Sequence, residues 1–129
     1  MIDHVSIAVR DLKNAEVFYA ALLAPLELTK LREWPNAAIG FGKKYPEFWI
    51  NKRPAMDRVA SDSGVHTCLR ATDTAAVDAF HAAALNAGGT SDGAPGLRPE
   101  YHGGYYAAFI RDPDGNRIEA VTFLKTAPE

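Results

Sequence analysis

Apolar and polar residues alternate through residues 1–10: Ile2, Val5, Ile7 and Val9 are apolar, with His4, Ser6 and Ala8 between them. Alternation over this length predicts a strand, with Val5, Ile7 and Val9 on one face and His4 and Ser6 on the other. The period then lengthens. Ala15, Phe18, Ala21 or Leu22 and Pro25 recur at helical spacing, with Asp11 or Asn14 as cap and Pro25 as terminator. Extended segments follow at 26–34, 37–42 and 47–51, the last preceded by a Lys43-Lys44-Tyr45-Pro46 turn. Residues 52–63 are polar and contain proline, the composition of a linker or a mobile loop. A strand is expected at 64–71 and a cap at Asp73. An Ala-rich helix at 75–87 places Val77, Phe80, Ala84 and Leu85 on one stripe and His81 on its exposed side, and Gly88-Gly89 stops it. Residues 91–104 read as a loop. Closing strands at 105–110 and 117–123 flank the turn Asp112-Pro113-Asp114-Gly115-Asn116, in which Pro113 presets φ and Gly115 permits φ > 0. Glu119 lies between Ile118 and Ala120, so it points to the opposite side of the sheet from both.

The pattern repeats. A constant offset of 62 positions relates His4 to His66, Asp11 to Asp73, Phe18 to Phe80, Ala21 to Ala83 and Leu23 to Leu85. The chain therefore reads as two β-α-β-β-β modules, about 4–51 and 64–123, joined by a linker at 52–63 within one 129-residue domain. Each module is too small to bury its sheet alone, so the two should pair.

Composition narrows the function. Hydrophobic and charged contents of 47% and 23% are ordinary globular values, which suggests neither disorder nor membrane insertion. A formal net charge of −2 lacks the basic excess of a nucleic-acid surface. Cys68 is the only cysteine, so no intrachain disulfide can form, as expected in a reducing cytosol. No signal-like leader and no apolar run of membrane-spanning length is present. The expectation is a cytoplasmic protein with no nucleic-acid or membrane partner.

The segments Asp3 to Asp11, Phe18-Tyr19, Gly64-Val65-His66, and Asp112 to Glu119 together resemble the vicinal-oxygen-chelate superfamily of glyoxalase I, bleomycin-resistance proteins and extradiol dioxygenases. The resemblance spans nearly the whole chain, and the Asp-Pro-Asp-Gly-Asn turn followed by a carboxylate is its most specific part. It implies an α+β fold in which two paired βαβββ modules form an open, curled mixed sheet around a cleft that usually holds a divalent metal. Transferred residue by residue, His4 and His66 match the first-strand histidines and Glu119 the last-strand carboxylate. Overlaying the closing hairpins puts Trp49 where the fourth ligand, a second carboxylate, would stand. Glu47 is the nearest carboxylate, on the same strand face but about 7 Å away along the strand. Its simpler reading is a polar residue at a strand start.

Two histidines and one carboxylate suit Fe, Mn, Ni or Zn and leave coordination positions open. The resemblance implies a metal-dependent enzyme of lyase, isomerase or dioxygenase type, in which the ion chelates neighbouring oxygens of a small substrate. Proton-handling and orienting groups are expected from Tyr101, His102 and Tyr105, with Trp49, Phe41 and Tyr106 against the substrate. Trp34, Trp49, Phe41 and Phe48 fit an apolar wall around an organic ligand, and they equally fit an ordinary core. The alternative is a metal-free sequestering protein like the bleomycin-resistance members, with His4 and His66 as hydrogen-bonded cleft residues. A ligand-free dimeric scaffold is a third reading. The resemblance also implies a homodimer, in which His4 of one copy can share a metal with His66 and Glu119 of another.

Overall fold

Two aspartates 62 positions apart start the two helices. In the computed structural model, which describes residues 1–101 and 103–125, Asp11 accepts from the Asn14 amide at 3.1 Å and Asp73 from the Ala76 amide at 2.8 Å. Each satisfies a donor that the first helical turn leaves open. Helix α1 runs Leu12–Leu23 and α2 runs Thr74–Asn86. A single 3₁₀ turn at Ala24–Leu26, with Pro25 inside it, closes the first.

The strands are β1 (Val5–Val9), β2 (Thr29–Trp34), β3 (Ala38–Gly42), β4 (Phe48–Lys52), β5 (His66–Arg70), β6 (Thr90–Leu97), β7 (Tyr105–Arg111) and β8 (Arg117–Phe123). They form two four-stranded sheets ordered β1-β4-β3-β2 and β5-β8-β7-β6. In each, the first strand runs parallel to the last and the other pairings are antiparallel. The βαβββ order thus recurs in both halves as an open α+β architecture.

Helices α1 and α2 pack together, and one continuous core joins Phe18, Tyr19 and Leu22 to Ile39, Phe48, Val77, Phe80, Ile110 and Ile118. Each sheet buries one face in this core. The other face is left open, as β5 illustrates: His66, Cys68 and Arg70 are exposed while Thr67 and Leu69 are half-buried.

Three local expectations change. Residues 91–104 contain a strand, β6, because an edge strand tolerates a proline and bulges that a central strand would reject. Its register breaks between Ser91 and Gly93 and again between Gly93 and Gly96. His81 is not on the exposed side of its helix. It is buried at 9% exposure, with Nε2 2.8 Å from Ser91 Oγ, while Leu85 faces solvent. Burial lowers the His81 pKa despite the opposing charge of Asp78.

The third concerns the linker, which is fastened to the hairpin turn. The Val59 amide donates to Asp114 O at 2.9 Å, Arg58 to Pro113 O at 2.7 Å, and Arg117 to Ser61 O at 2.6 Å. The turn also binds the first module. Asp112 accepts from the Asp114 and Asn116 amides, from the Asn116 side chain, and from the Tyr19 hydroxyl at 2.6 Å. Arg10 Nε donates to Asp114 at 2.7 Å, and the Asn116 side chain reaches Ala8 O. The most recognisable motif in the sequence is therefore a clasp between modules.

Candidate functional site

Glu119 stands on β8, the strand flanked by both β5 and β7. Cys68 is its partner in β5 and Phe109 its partner in β7. It lies on the open face, yet it is only 2% exposed because neighbouring side chains close over it. Its Oε1 is 3.0 Å from His66 Nε2, and its Oε2 accepts a short hydrogen bond from the Tyr105 hydroxyl. The Tyr101 and Phe123 rings meet the Tyr105 ring edge-on at 5.2 and 5.4 Å, fixing the phenol.

The electrostatics keep the surrounding hydrogens in place. Burial, and then the hydrogen bond to Glu119, hold the Tyr105 hydroxyl well above the ordinary phenol range. Loss of solvent, and then the Glu119 charge, push the Cys68 thiol up to about 12. At neutral pH Tyr105 is a hydrogen-bond donor and Cys68 an unreactive thiol rather than a nucleophile.

His4 immediately precedes β1, at the end of the other sheet. It shares an open cup of about 520 Å³ with Asp3, Ser6, Arg32, Trp34 and Trp49. Its Nδ1 is 2.7 Å from Asp3 Oδ1. A carboxylate only accepts, so in the neutral ring Nδ1 carries the proton and Nε2 presents a lone pair. Gly40 is paired with Trp49, and a Cβ there would come 2.9 Å from the indole, so glycine is what lets that ring lie against β3. Sequence reasoning passed over both Asp3 and Gly40. The only signal for Asp3 was its place beside His4.

The register gives Trp49 its meaning. Ser6 pairs with Trp49 as Cys68 pairs with Glu119, and Ser6 and Cys68 are 62 positions apart. Trp49 therefore occupies the strand position equivalent to Glu119, without a carboxylate. Glu47 does not replace it, because it precedes β4, is exposed, and lines a different groove with Leu28, Lys43 and Leu69.

The chain brings together His66, Glu119, Tyr105 and Tyr101. Phe41 is removed from the expected substrate wall: at 1% exposure it is core, on the side of β3 opposite Gly40 and Trp49. Phe48 is core as well, whereas Trp34 is 55% exposed and Trp49 half-buried at the cup. Tyr106 is also removed. It packs toward the core side of its strand, and its hydroxyl donates to Asp78 on α2 at 2.7 Å. His102 lies outside the described residues.

Among the described residues, no three His, Cys, Asp or Glu side chains of one chain converge as a metal-binding group. The His66–Glu119 pair nonetheless suits two of the positions. Its 3.0 Å separation is that of a hydrogen bond, and an imidazole and a carboxylate are the kinds of donor that would hold a borderline divalent ion. A third donor would have to come from elsewhere.

A family model described as Glyoxalase/Bleomycin resistance protein/Dioxygenase superfamily matches residues 1–120. Among solved structures, a glyoxalase/bleomycin resistance protein from Albidiferax ferrireducens T118 is 31% identical, with 92% of this chain and 94% of that one covered and a TM-score of 0.76. Lactoylglutathione lyase from Agrobacterium tumefaciens is similar in fold at 22% identity, with 94% and 92% covered and a TM-score of 0.64. Fosfomycin resistance protein FosX from Mesorhizobium loti is similar in fold at 16% identity, with 94% and 90% covered and a TM-score of 0.66. Comparison with curated proteins finds no match.

Proposed function

Because the chain belongs to the glyoxalase/bleomycin resistance protein/dioxygenase superfamily, we propose that it is a metal-dependent enzyme acting on a small substrate with two neighbouring oxygens, at a site divided between two copies of the chain. His66 and Glu119 of one copy and His4 of a second would hold the ion. The observation that carries this reading is the His66–Glu119 pair at 3.0 Å on the open face of one sheet, with His4 just before β1 of the other and its Nδ1 taken by Asp3. With Trp49 in place of a second carboxylate, the donor set is two histidines and one carboxylate. A divalent ion held there supplies Lewis acidity toward the substrate oxygens. Tyr105 holds Oε2 of Glu119 and so fixes which carboxylate oxygen faces His66. Asp3 sets the His4 tautomer, as partners of ligating histidines commonly do.

Elemental analysis of purified wild type and of His4→Ala, His66→Ala and Glu119→Ala tests the assignment. Bound Fe, Mn, Ni or Zn should be lost in all three variants, and co-refolding His4→Ala with His66→Ala should restore part of it. Full metal content in any single variant refutes the shared site.

A metal-free binding protein is the second reading. Supporting it, Glu119 already has both oxygens met by His66 and Tyr105, and Trp34 and Trp49 frame a cup suited to a flat or cationic ligand. Wild type that takes up none of the four metals, while an aromatic cation quenches its tryptophan fluorescence saturably, would favour this reading over the first.

A further inference from the structure

Strand β6 contains two glycines beside one guanidinium. A Cβ at Gly93 would come 3.0 Å from Phe109 Cδ1 and 3.2 Å from Arg98 Nη2, and a Cβ at Gly96 would come 3.3 Å from Arg98 Nη1. The same two nitrogens donate to the carbonyls of Ala94 and Gly96 at 2.7 and 2.9 Å. The Phe109 ring supports the guanidinium, 5.4 Å from ring centroid to Cζ. A flexible side chain is thus held in one place by two carbonyls, one ring and two missing Cβ atoms. A guanidinium has five N–H donors, and these bonds use two of them. Among the described residues no carboxylate pairs with it.

Arg98 lines a pocket of about 340 Å³ with His66, Asp92, Tyr101, Phe109 and Arg117. The Nε of Arg117 is buried and has no hydrogen-bond partner among the described residues. Its nearest carboxylate oxygen is Asp92 Oδ2 at 3.7 Å, and Asp92 also serves Arg111 at 3.3 Å. The wall therefore carries two guanidinium groups against one carboxylate. Phe109 links this wall to the Glu119 centre, since it is the β7 partner of Glu119 and its ring lies 6.4 Å from that of His66.

We propose that this pocket binds the anionic group of the substrate, with Arg98 as the specificity-determining residue. The substrate class is a small organic acid bearing a carboxylate, phosphonate or phosphate, whose other oxygen function reaches His66 and Glu119. The planar fork of arginine matches such oxyanions in paired hydrogen bonds. This rests on reading the His66–Glu119 pair as the reaction centre, but its test does not require metal.

Titration of ¹⁵N-labelled protein with glycolate and with ethylene glycol, followed at the Arg98 Nε–H and at the Gly93 and Gly96 amides, separates charge from size. Glycolate should shift these signals saturably and bind at least about tenfold tighter than the neutral diol. Arg98→Gln should lose about tenfold or more in glycolate affinity, while Arg53→Gln, which removes the same charge from the linker, should leave it unchanged. Equal affinity for glycolate and the diol overturns the proposal, as does equal weakening by both variants. Wild type that takes up no metal but binds glycolate through Arg98 supports this inference while refuting the metal reading.

Discussion

Replacing Tyr19 with phenylalanine removes one oxygen from the clasp and almost nothing else. The ring keeps its edge-on contact with Phe18 at 5.0 Å and its tilted contact with Phe48 at 5.3 Å, so no cavity opens. The change deletes the 2.6 Å hydrogen bond to the buried Asp112 carboxylate, which keeps its three donors from Asp114 and Asn116. A hydrogen bond to a charged group contributes about 1.5–3 kcal/mol, and the three survivors favour a loss of about 2 kcal/mol. At roughly 2.1 cal/mol/K per residue, a chain of this length should fall in Tm by about 7 °C. Urea unfolding at constant m-value gives the free energy directly. The loss should also depend on pH. Burial raises the Asp112 pKa above its ordinary value of 3.8, outweighing the hydrogen bonds from Tyr19 and Asn116 that lower it. A raised folded-state pKa means that the stability contributed by this group is complete below 3.8 and is lost as pH rises through the folded value. Without Tyr19 that pKa rises further. The deficit of the variant should therefore be largest at neutral pH and shrink as Asp112 takes up its proton in mild acid. A deficit below about 0.5 kcal/mol, or one that stays constant from neutral pH down to the onset of acid unfolding, refutes the assignment of this bond as the main link in the clasp.

Trp49→Glu puts a carboxylate at the register position that mirrors Glu119, and should raise metal affinity by about tenfold or more, read by competition with a chromophoric chelator. Cys68 should alkylate slowly with iodoacetamide at neutral pH, with a rate that climbs only toward its pKa of about 12, and Glu119→Gln should shift that profile to lower pH by removing a neighbouring negative charge. Gly115→Ala places a side chain at φ +90°, where the new Cβ would lie 3.0 Å from Val59 O. It should cost about 1–3 kcal/mol and speed hydrogen exchange at the Val59 amide that is bonded to Asp114.

Residues tied to a local rule or to the repeat were legible in the sequence. The caps Asp11 and Asp73 announce themselves by residue type and by the helical periodicity that begins just after each, and the 62-residue offset alone aligned His4 with His66. Overlaying the two closing hairpins exposed Trp49 as the odd member of its pair, and the strand register agrees. Legibility ended where a residue's role depends on a distant partner. Tyr105 and Tyr106 look alike in sequence, yet neighbouring positions of one strand cannot share a face. Only the pairing of Phe109 with Glu119 fixes Tyr105 as the one beside the carboxylate. Phe41 was misassigned for the same reason. His81 hydrogen-bonds Ser91, a residue of β6, and β6 itself was hidden because its glycines and Pro95 carry the composition of a turn. Those glycines lie against Arg98 and Phe109, a relation visible only in three dimensions.

The irregularities of β2 and β6 bear on solubility. Both strands form sheet borders, where unpaired amides and carbonyls invite another chain to add a strand. Each border is interrupted. β2 breaks register between Lys30 and Arg32 and is lined by charge, while β6 breaks twice and includes Pro95, which has no N–H to offer. An incoming strand finds no continuous ladder on either of these two borders, and β1 and β5 form the opposite ones. The open faces, with Trp34 and Phe123 exposed, remain available for association that is finite and face to face.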